Sequence, residues 1–153
     1  MEESKTRLIR FGRFATLNCL ERNLGKPETF TFLGFTHYCS LDVNGRFRVK
    51  RKTSRKKFSK KCRELNQLIS EMRNRPIKDI IKKLNQILVG YDHYYGITDN
   101  SRSLANFHYR VQQMLFYWLN KRSQRKSYTW ETFNDMLKVY PLVKPRIYVS
   151  IFG

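Results

Sequence analysis

The chain carries a dense run of cations that could bind phosphate. Eleven of the eighteen residues from Arg46 to Arg63 are Lys or Arg, and none is Asp or Glu. Crowded like charges raise the free energy of the isolated protein, and a polyphosphate backbone relieves the repulsion while releasing its condensed counterions. The run therefore predicts a surface for a polyanion, with a merely solvated basic face as the plainer alternative. A membrane surface ranks lower, because few apolar side chains accompany the charge.

Residue types that bind metals or perform catalysis are scattered. The five aspartates form no motif, so they predict no gathered carboxylates of the kind that two-metal phosphoryl transfer needs. The histidines and cysteines lack metal-ligand spacing, and the odd number of cysteines without a CxxC pair suits a reducing cytosol. We therefore predict no catalytic residue, no metal site and no cofactor in this chain, and no activity by the chain alone. The isolated histidines and cysteines are His37, His93, His108, Cys19, Cys39 and Cys62.

Composition places the chain among basic, folded proteins. It has 153 residues, 31 of them Lys or Arg and 12 Asp or Glu, for a formal charge of +19. Hydrophobic residues make up 41%, which is enough to bury a core and argues against disorder. The sequence shows no apolar run long enough to cross a bilayer and no secretory signal, so we expect a cytoplasmic protein that binds nucleic acid.

The first third of the chain has β-strand patterns. Residues 30–39 (FTFLGFTHYC) are rich in aromatic and β-favouring side chains and predict one strand. Asn44-Gly45 predicts a type I′ turn, since both central positions of that turn need positive φ. Residues 46–51 then predict the returning strand of a β-hairpin. A weaker strand is predicted at residues 6–11, and a short helix near residues 14–20.

The remainder of the chain has the periodicity of helices. From Ser54, apolar residues recur every three or four positions up to Met72, and similar patterns run over residues 77–95, from 101 and after Thr129. Gly96 suits a helix end because it tolerates the left-handed conformation, and residues 146–152 predict an extended segment. The fold class is therefore α+β, a short β-hairpin followed by a bundle of three to four helices. The predicted boundary divides residues 1–52 from residues 53–153.

Five motifs together resemble one family. They are KTRLIRFGRFA (5–15), FLGFTHY (32–38), RVKRKTSRKKF (48–58), GYDHYYG (90–96) and LNKRSQRKSYTWETFNDML (119–137). In this order and spacing they resemble the C-terminal part of group II intron-encoded reverse transcriptases, also called maturases. The resemblance implies that residues 1–52 are a palm remnant with a primer-grip-like hairpin and that residues 53–153 are the thumb, or maturase X domain.

The resemblance also implies which residues act. Lys5 matches a palm lysine, while the YxDD aspartates and the Mg²⁺ they would hold belong to a palm that this chain lacks. Primer-grip-like residues are Phe32, Leu33, Gly34 and Phe35. The residues expected to contact RNA are Arg48, Lys50, Arg51, Lys52, Arg55, Lys56, Lys57, Lys60, Lys61, Arg63, Arg122, Arg125 and Lys126.

Two functional hypotheses follow, with a relic that has no present role as a third option. The first is an RNA-binding maturase fragment, which contacts intron RNA or a template–primer backbone to aid splicing and retrohoming. The second is a subunit of a split RNA-directed DNA polymerase, which supplies primer grip and thumb to a separate fingers–palm polypeptide. An adjacent upstream reading frame with the YxDD motif would favour the second.

Overall fold

The computed structural model describes residues 9, 11–23, 25–125 and 127–150. The chain forms two compact units, residues 1–54 and residues 55–153. Among the described residues, a three-stranded antiparallel sheet precedes four helices, which confirms the predicted α+β class with a hairpin followed by a helical bundle. Lys5, Lys126 and most of the strand predicted at residues 6–11 lie outside the described residues.

Where the structure describes it, the first unit is a small sheet with one short helix. Helix α1 spans Ala15–Glu21, and strands β1, β2 and β3 span Phe30–Phe32, Phe35–Leu41 and Phe47–Thr53. Strand β2 is central and pairs antiparallel with both neighbours. Aromatic and β-branched residues favour these strands because their side chains pack well on a pleated surface.

The single strand predicted over residues 30–39 is wrong. The chain reverses at Leu33 and Gly34, and Phe32 pairs with Phe35 across a two-residue turn. Both turn residues have positive φ, +51° at Leu33 and +83° at Gly34, as a type I′ turn requires. Leucine rarely adopts this conformation, because its Cβ crowds the following carbonyl oxygen. The alternating aromatic residues therefore belong to two strands of a second hairpin.

The predicted hairpin between β2 and β3 is confirmed, but its predicted turn type is wrong. Only Gly45 of the Asn44-Gly45 pair has positive φ, at +78°. The Asp42 carboxylate accepts hydrogen bonds from the backbone N–H groups of Asn44 and Arg46, at 2.8 and 2.9 Å. A three-residue loop closed by glycine results, since the aspartate side chain satisfies the backbone donors of the loop.

Over residues 55–125 and 127–150, the second unit is a four-helix assembly. Helices α2, α3, α4 and α5 span Arg55–Met72, Ile77–Tyr95, Ser101–Leu119 and Trp130–Val139. The predicted apolar stripes are confirmed as the core, where side chains from all four helices are fully buried. They include Leu65, Ile69, Ile80, Leu84, Leu104, Phe107, Leu115 and Phe133.

The helix ends follow from local chemistry. Pro76 precedes α3, and Thr129 caps α5 in a reciprocal capping box with Thr132. The reason predicted for Gly96 is wrong, because its φ is −78° rather than positive. A Cβ at this position would overlap the backbone oxygen of Asp92 and approach that of Arg146 to 2.6 Å. Glycine is needed here for close backbone approach.

The described residues that follow α5 return to the end of α3. The N–H groups of Tyr148 and Val149 donate to the Gly96 carbonyl, at 2.8 and 2.9 Å. Ile97 and Val149 form an isolated parallel bridge. The extended segment predicted from residue 146 is therefore anchored, over residues 146–150, to the chain just beyond α3.

Candidate nucleic-acid interface

The first half of α2 presents a dense cationic surface. Its buried stripe runs through Cys62, Leu65 and Ile69. With about 100° of rotation per residue, Lys56, Lys57, Lys60 and Arg63 fall on the opposite half of the helix. Lys61 lies on a flank, and Arg55 begins the helix on the side of the stripe. All of these cations are exposed except Lys61, which is half-buried. We call this set the α2 basic face, and its members are Arg55, Lys56, Lys57, Lys60, Lys61 and Arg63.

The charges of the α2 basic face oppose the local helix dipole. Backbone N–H groups make a helix N-terminus partially positive, so each cation in the first turn costs a few tenths of a kcal/mol. The first turn contains no acidic residue. Glu64 is the first acid of the helix, and its carboxylate lies 4.0 Å from the Lys61 ammonium. Local energetics disfavour this arrangement, whereas an external anion would stabilise it.

Arg110 of α4 brings one more cation to α2, which sequence analysis missed. Burial raises the pKa of the Cys62 thiol, and the nearby Arg110 guanidinium partly offsets that rise. Arg110 is exposed, and α4 packs extensively on α2. No sequence signal marks Arg110, because it stands 47 residues from Arg63 and comes close only through the packing of the two helices.

In the first unit, three of the four predicted strand cations share one face of the sheet. Arg48, Lys50 and Lys52 alternate along β3, where they oppose Ser40, Tyr38 and Thr36 of β2. The Lys52 ammonium lies 5.2 Å from the centre of the Tyr38 ring, within the range of a cation–π interaction. Arg51 pairs with His37 of β2, and its side chain projects from the other face of the sheet, away from the other three cations.

The predicted cations after α4 include one with an internal partner. The Arg122 guanidinium donates to the Arg75 carbonyl at 3.0 Å and so ties the end of α4 to the turn before α3. Arg125 is exposed, and its carbonyl accepts a hydrogen bond from the Ser123 hydroxyl at 3.0 Å. Lys126 lies outside the described residues. The structure thus gives Arg122 a structural contact beside its predicted role.

The primer-grip-like residues form the β1–β2 turn. Phe32 and Leu33 are 62% and 67% exposed, Phe35 is half-buried and Gly34 is buried. The Gly34 carbonyl accepts from the Ser54 N–H at 2.8 Å, which fixes the turn to the end of β3. Two apolar side chains therefore stand exposed at the tip of a tight hairpin.

The GYDHYYG segment lies at the end of α3 and is largely structural. The Tyr91 ring stacks on Phe107 at 3.8 Å and is buried, whereas Tyr94 is 53% exposed. Tyr95 is half-buried, and its pKa is raised by burial and by the neighbouring Tyr94 hydroxyl. Among these rings, Tyr94 presents the largest exposed surface.

A buried pair of hydrogen-bonded side chains, Asp92 and His108, joins α3 to α4. His108 Nε2 lies 2.8 and 3.0 Å from the two carboxylate oxygens of Asp92, and His108 Nδ1 lies 3.1 Å from the Val143 carbonyl. The Val143 carbonyl can only accept, so His108 Nδ1 donates to it, while the Asp92 carboxyl group holds Nε2 on the other side of the ring. Sequence analysis treated Asp92 and His108 as isolated, because nothing in their spacing of sixteen residues marks a pair.

The described residues contain no cluster of three or more His, Cys, Asp or Glu side chains that could hold a metal ion. Within the same part of the chain, no helix combines the length and apolar character needed to span a bilayer. The features that stand out are therefore the basic surfaces and the exposed aromatic residues.

Comparison with known proteins assigns the helical unit. A family model described as "Group II intron, maturase-specific domain" matches residues 55–134. The match covers 80 residues, more than half of the chain, and begins at the first residue of α2. Searches of curated proteins and of solved structures found no match.

Proposed function

The chain belongs to the group II intron maturase-specific domain family, and from this premise we propose that it binds folded intron RNA through the α2 basic face. The proposed role is to stabilise the RNA backbone in the structure needed for splicing and retrohoming. The family match confirms the predicted resemblance to the maturase region of these intron proteins. The proposed partner is group II intron RNA or a template–primer duplex.

The observation that carries the proposal is the position of the α2 basic face. Its six cations fall in the first nine residues of the matched region, and four of them lie on the side of the helix that faces away from the bundle core, namely Lys56, Lys57, Lys60 and Arg63. The opposite face is held by buried Cys62, Leu65 and Ile69. The core thus fixes the helix and presents its charges outward in a defined pattern.

The chemistry of this surface favours backbone contacts over base reading. Lysine and arginine bind phosphate oxygens, and such contacts supply affinity and orientation without reading sequence. Folded RNA is recognised largely by its shape and backbone, because the A-form major groove is too narrow for side chains to read. The interface therefore favours structured RNA, with specificity arising from the fold of the RNA.

A binding titration with matched variants tests the proposal. In the test variant, Arg55, Lys56, Lys57, Lys60 and Lys61 are replaced by Gln. In the control variant, five exposed cations elsewhere in the helical unit are replaced by Gln, which gives the same net charge. These are Lys83, Arg102, Lys121, Lys138 and Lys144. Filter binding measures the Kd of each chain for a folded group II intron RNA and for an unrelated RNA duplex.

We expect the test variant to bind intron RNA at least about tenfold more weakly than the control variant, since it loses direct phosphate contacts as well as net charge. Equal weakening in both variants would show that only net charge matters and would contradict the assignment of the α2 basic face. Circular dichroism of both variants checks that the helices remain intact.

The exposed hairpin tip favours a second candidate function. Phe32 and Leu33 project from a tight two-residue turn, as a primer grip would require. In this proposal the chain supplies the grip and thumb to a separate fingers–palm polypeptide. Primer extension by the mixture of both polypeptides tests the idea, with a Phe32→Ser, Leu33→Ser chain as the variant. Extension that is equally efficient without this chain would refute it.

A further inference from the structure

A groove on the helical unit is distinct from the α2 basic face. It has a volume of about 810 Å³ and lies between α3 and the end of α5. We call it the α3–α5 groove and define it by Lys78, Ile81, Lys82, Val89, Val139 and Tyr140. Its volume falls within the range of pockets that hold small ligands, about 300–1,000 Å³. No part of the function proposed above uses it.

The shape of the groove is fixed before any ligand binds. The Asn85 amide donates to the Pro141 carbonyl at 3.0 Å, and its oxygen accepts from the Val143 N–H at 2.9 Å. This double contact holds the segment after α5 against α3. The N–H of Tyr140 also donates to the Met136 carbonyl at 2.9 Å, so the backbone beside the groove is bonded on both sides of Pro141. A preformed groove avoids the cost of ordering a loop on binding.

The groove combines exposed apolar surface with positive charge. Val139 is 70% exposed and Tyr140 is 38% exposed, which leaves an aromatic ring and a branched side chain open to solvent. Lys78 and Lys82 stand one helical turn apart on α3, with backbone positions separated by about 6 Å along the axis. Among the described residues that line the groove, none is acidic.

We propose that the α3–α5 groove binds one unpaired nucleotide of an RNA strand. The base packs against Tyr140, Val139 and Val89, while the two lysines contact the adjoining phosphates. Every base has an aromatic face that stacks on a side chain such as Tyr140, and unpaired bases in loops and bulges are the part of RNA open to this contact. The inference rests on the proposed RNA-binding function and extends it from phosphate contacts to an unpaired base.

The α3–α5 groove, which is apolar and flanked by cations, would also accept an acidic peptide or a second copy of the chain. A second copy is disfavoured because each chain carries +19. A nucleotide fits better than a peptide because an apolar site and two cations one helical turn apart match a base with its two flanking phosphates. These alternatives are therefore outcomes of the test.

The test is a methyl NMR titration of the full chain with a single-stranded RNA of seven uridines. We expect the largest shifts at the methyl groups of Ile81, Val89 and Val139. Replacing Tyr140 by Ala should weaken binding at least about fivefold, and replacing Lys78 and Lys82 by Gln should weaken it and reduce its salt dependence. Tyr109→Ala, which removes a 59% exposed tyrosine of α4, is the matched control and should have no effect.

Three results would overturn the proposal. The first is saturation with the heptamer without shifts at these methyl groups. The second is that an acidic peptide of alternating Glu and Leu shifts the same methyl signals as strongly as the RNA does. The third is that these methyl signals shift with increasing protein concentration in the absence of RNA. The five-Gln test variant separates this proposal from the proposed RNA contact of the α2 basic face. On titration with the heptamer, this variant should still show the methyl shifts of the groove, even if folded-RNA binding proves independent of α2.

Discussion

Removing the charge of Asp92 should strongly destabilise the helical unit. Asp92 and His108 have side chains only 2% and 6% exposed, and they join α3 to α4 through contacts of 2.8 and 3.0 Å. In Asp92→Asn an amide replaces the carboxylate, so the two-oxygen contact with His108 Nε2 inside the core is broken. Breaking a buried pair in this way costs about 3–5 kcal/mol. Typical domains have only about 5–15 kcal/mol of total stability.

Urea unfolding followed by circular dichroism measures this loss. With a slope of about 1–3 kcal/mol per molar urea, a loss of 3 kcal/mol lowers the midpoint by about 1–3 M. Asp135→Asn is the matched control, since Asp135 and Lys138 form an exposed pair at 3.5 Å that should contribute less than about 1 kcal/mol.

A double-mutant cycle separates loss of charge from loss of packing. The chain with Asp92→Asn and His108→Gln together contains no buried charge at this position. It should therefore be less destabilised than the sum of the two single variants. If Asp92→Asn unfolds at the same urea concentration as Asp135→Asn, the pair is not the stabilising link between α3 and α4 that the geometry indicates.

Two further predictions concern glycine and cysteine positions. In the same urea assay, Gly96→Ala should lower the free energy of unfolding by about 1–3 kcal/mol, because its Cβ meets the backbone oxygens of Asp92 and Arg146. Gly90→Ala places its Cβ in open space within α3 and should instead raise the free energy of unfolding by about 0.5–1 kcal/mol. Equal effects of the two substitutions would contradict the close backbone approach at Gly96. Cys62 should react with iodoacetamide at pH 8 several-fold more slowly than half-buried Cys39, as measured by peptide mass spectrometry. Burial makes the Cys62 thiol less accessible, and its raised pKa reduces the thiolate fraction that reacts. Equal rates would show that Cys62 is open to solvent.

The helices could be predicted from the sequence because their signals are local. Each buried stripe repeats every three or four residues, and Thr129 has a capping partner three positions later. The α2 basic face could likewise be located from the sequence, since most of its charges lie opposite the apolar stripe of one regular helix. Local periodicity determines which face is buried.

Features that depend on the third dimension could not be predicted in this way. Leu33 occupies a turn conformation that its own side chain disfavours, and the pairing of the flanking strands helps to hold it there. Asp92 and His108, and likewise Arg110 and Cys62, meet only after helices pack. The α3–α5 groove depends on how the segment after α5 crosses α3, and Asn85 bonds to that segment from 56 residues away along the chain.

The salt dependence of RNA binding tests the central claim most directly. Each phosphate contact contributes about 0.7–0.9 to the slope of log K against log salt concentration. The five Gln substitutions of the α2 basic face should therefore reduce the slope for folded intron RNA by about 3.5–4.5, while the control variant stays close to the unaltered chain. A slope that the test variant leaves unchanged would contradict the claim that this face holds the RNA backbone.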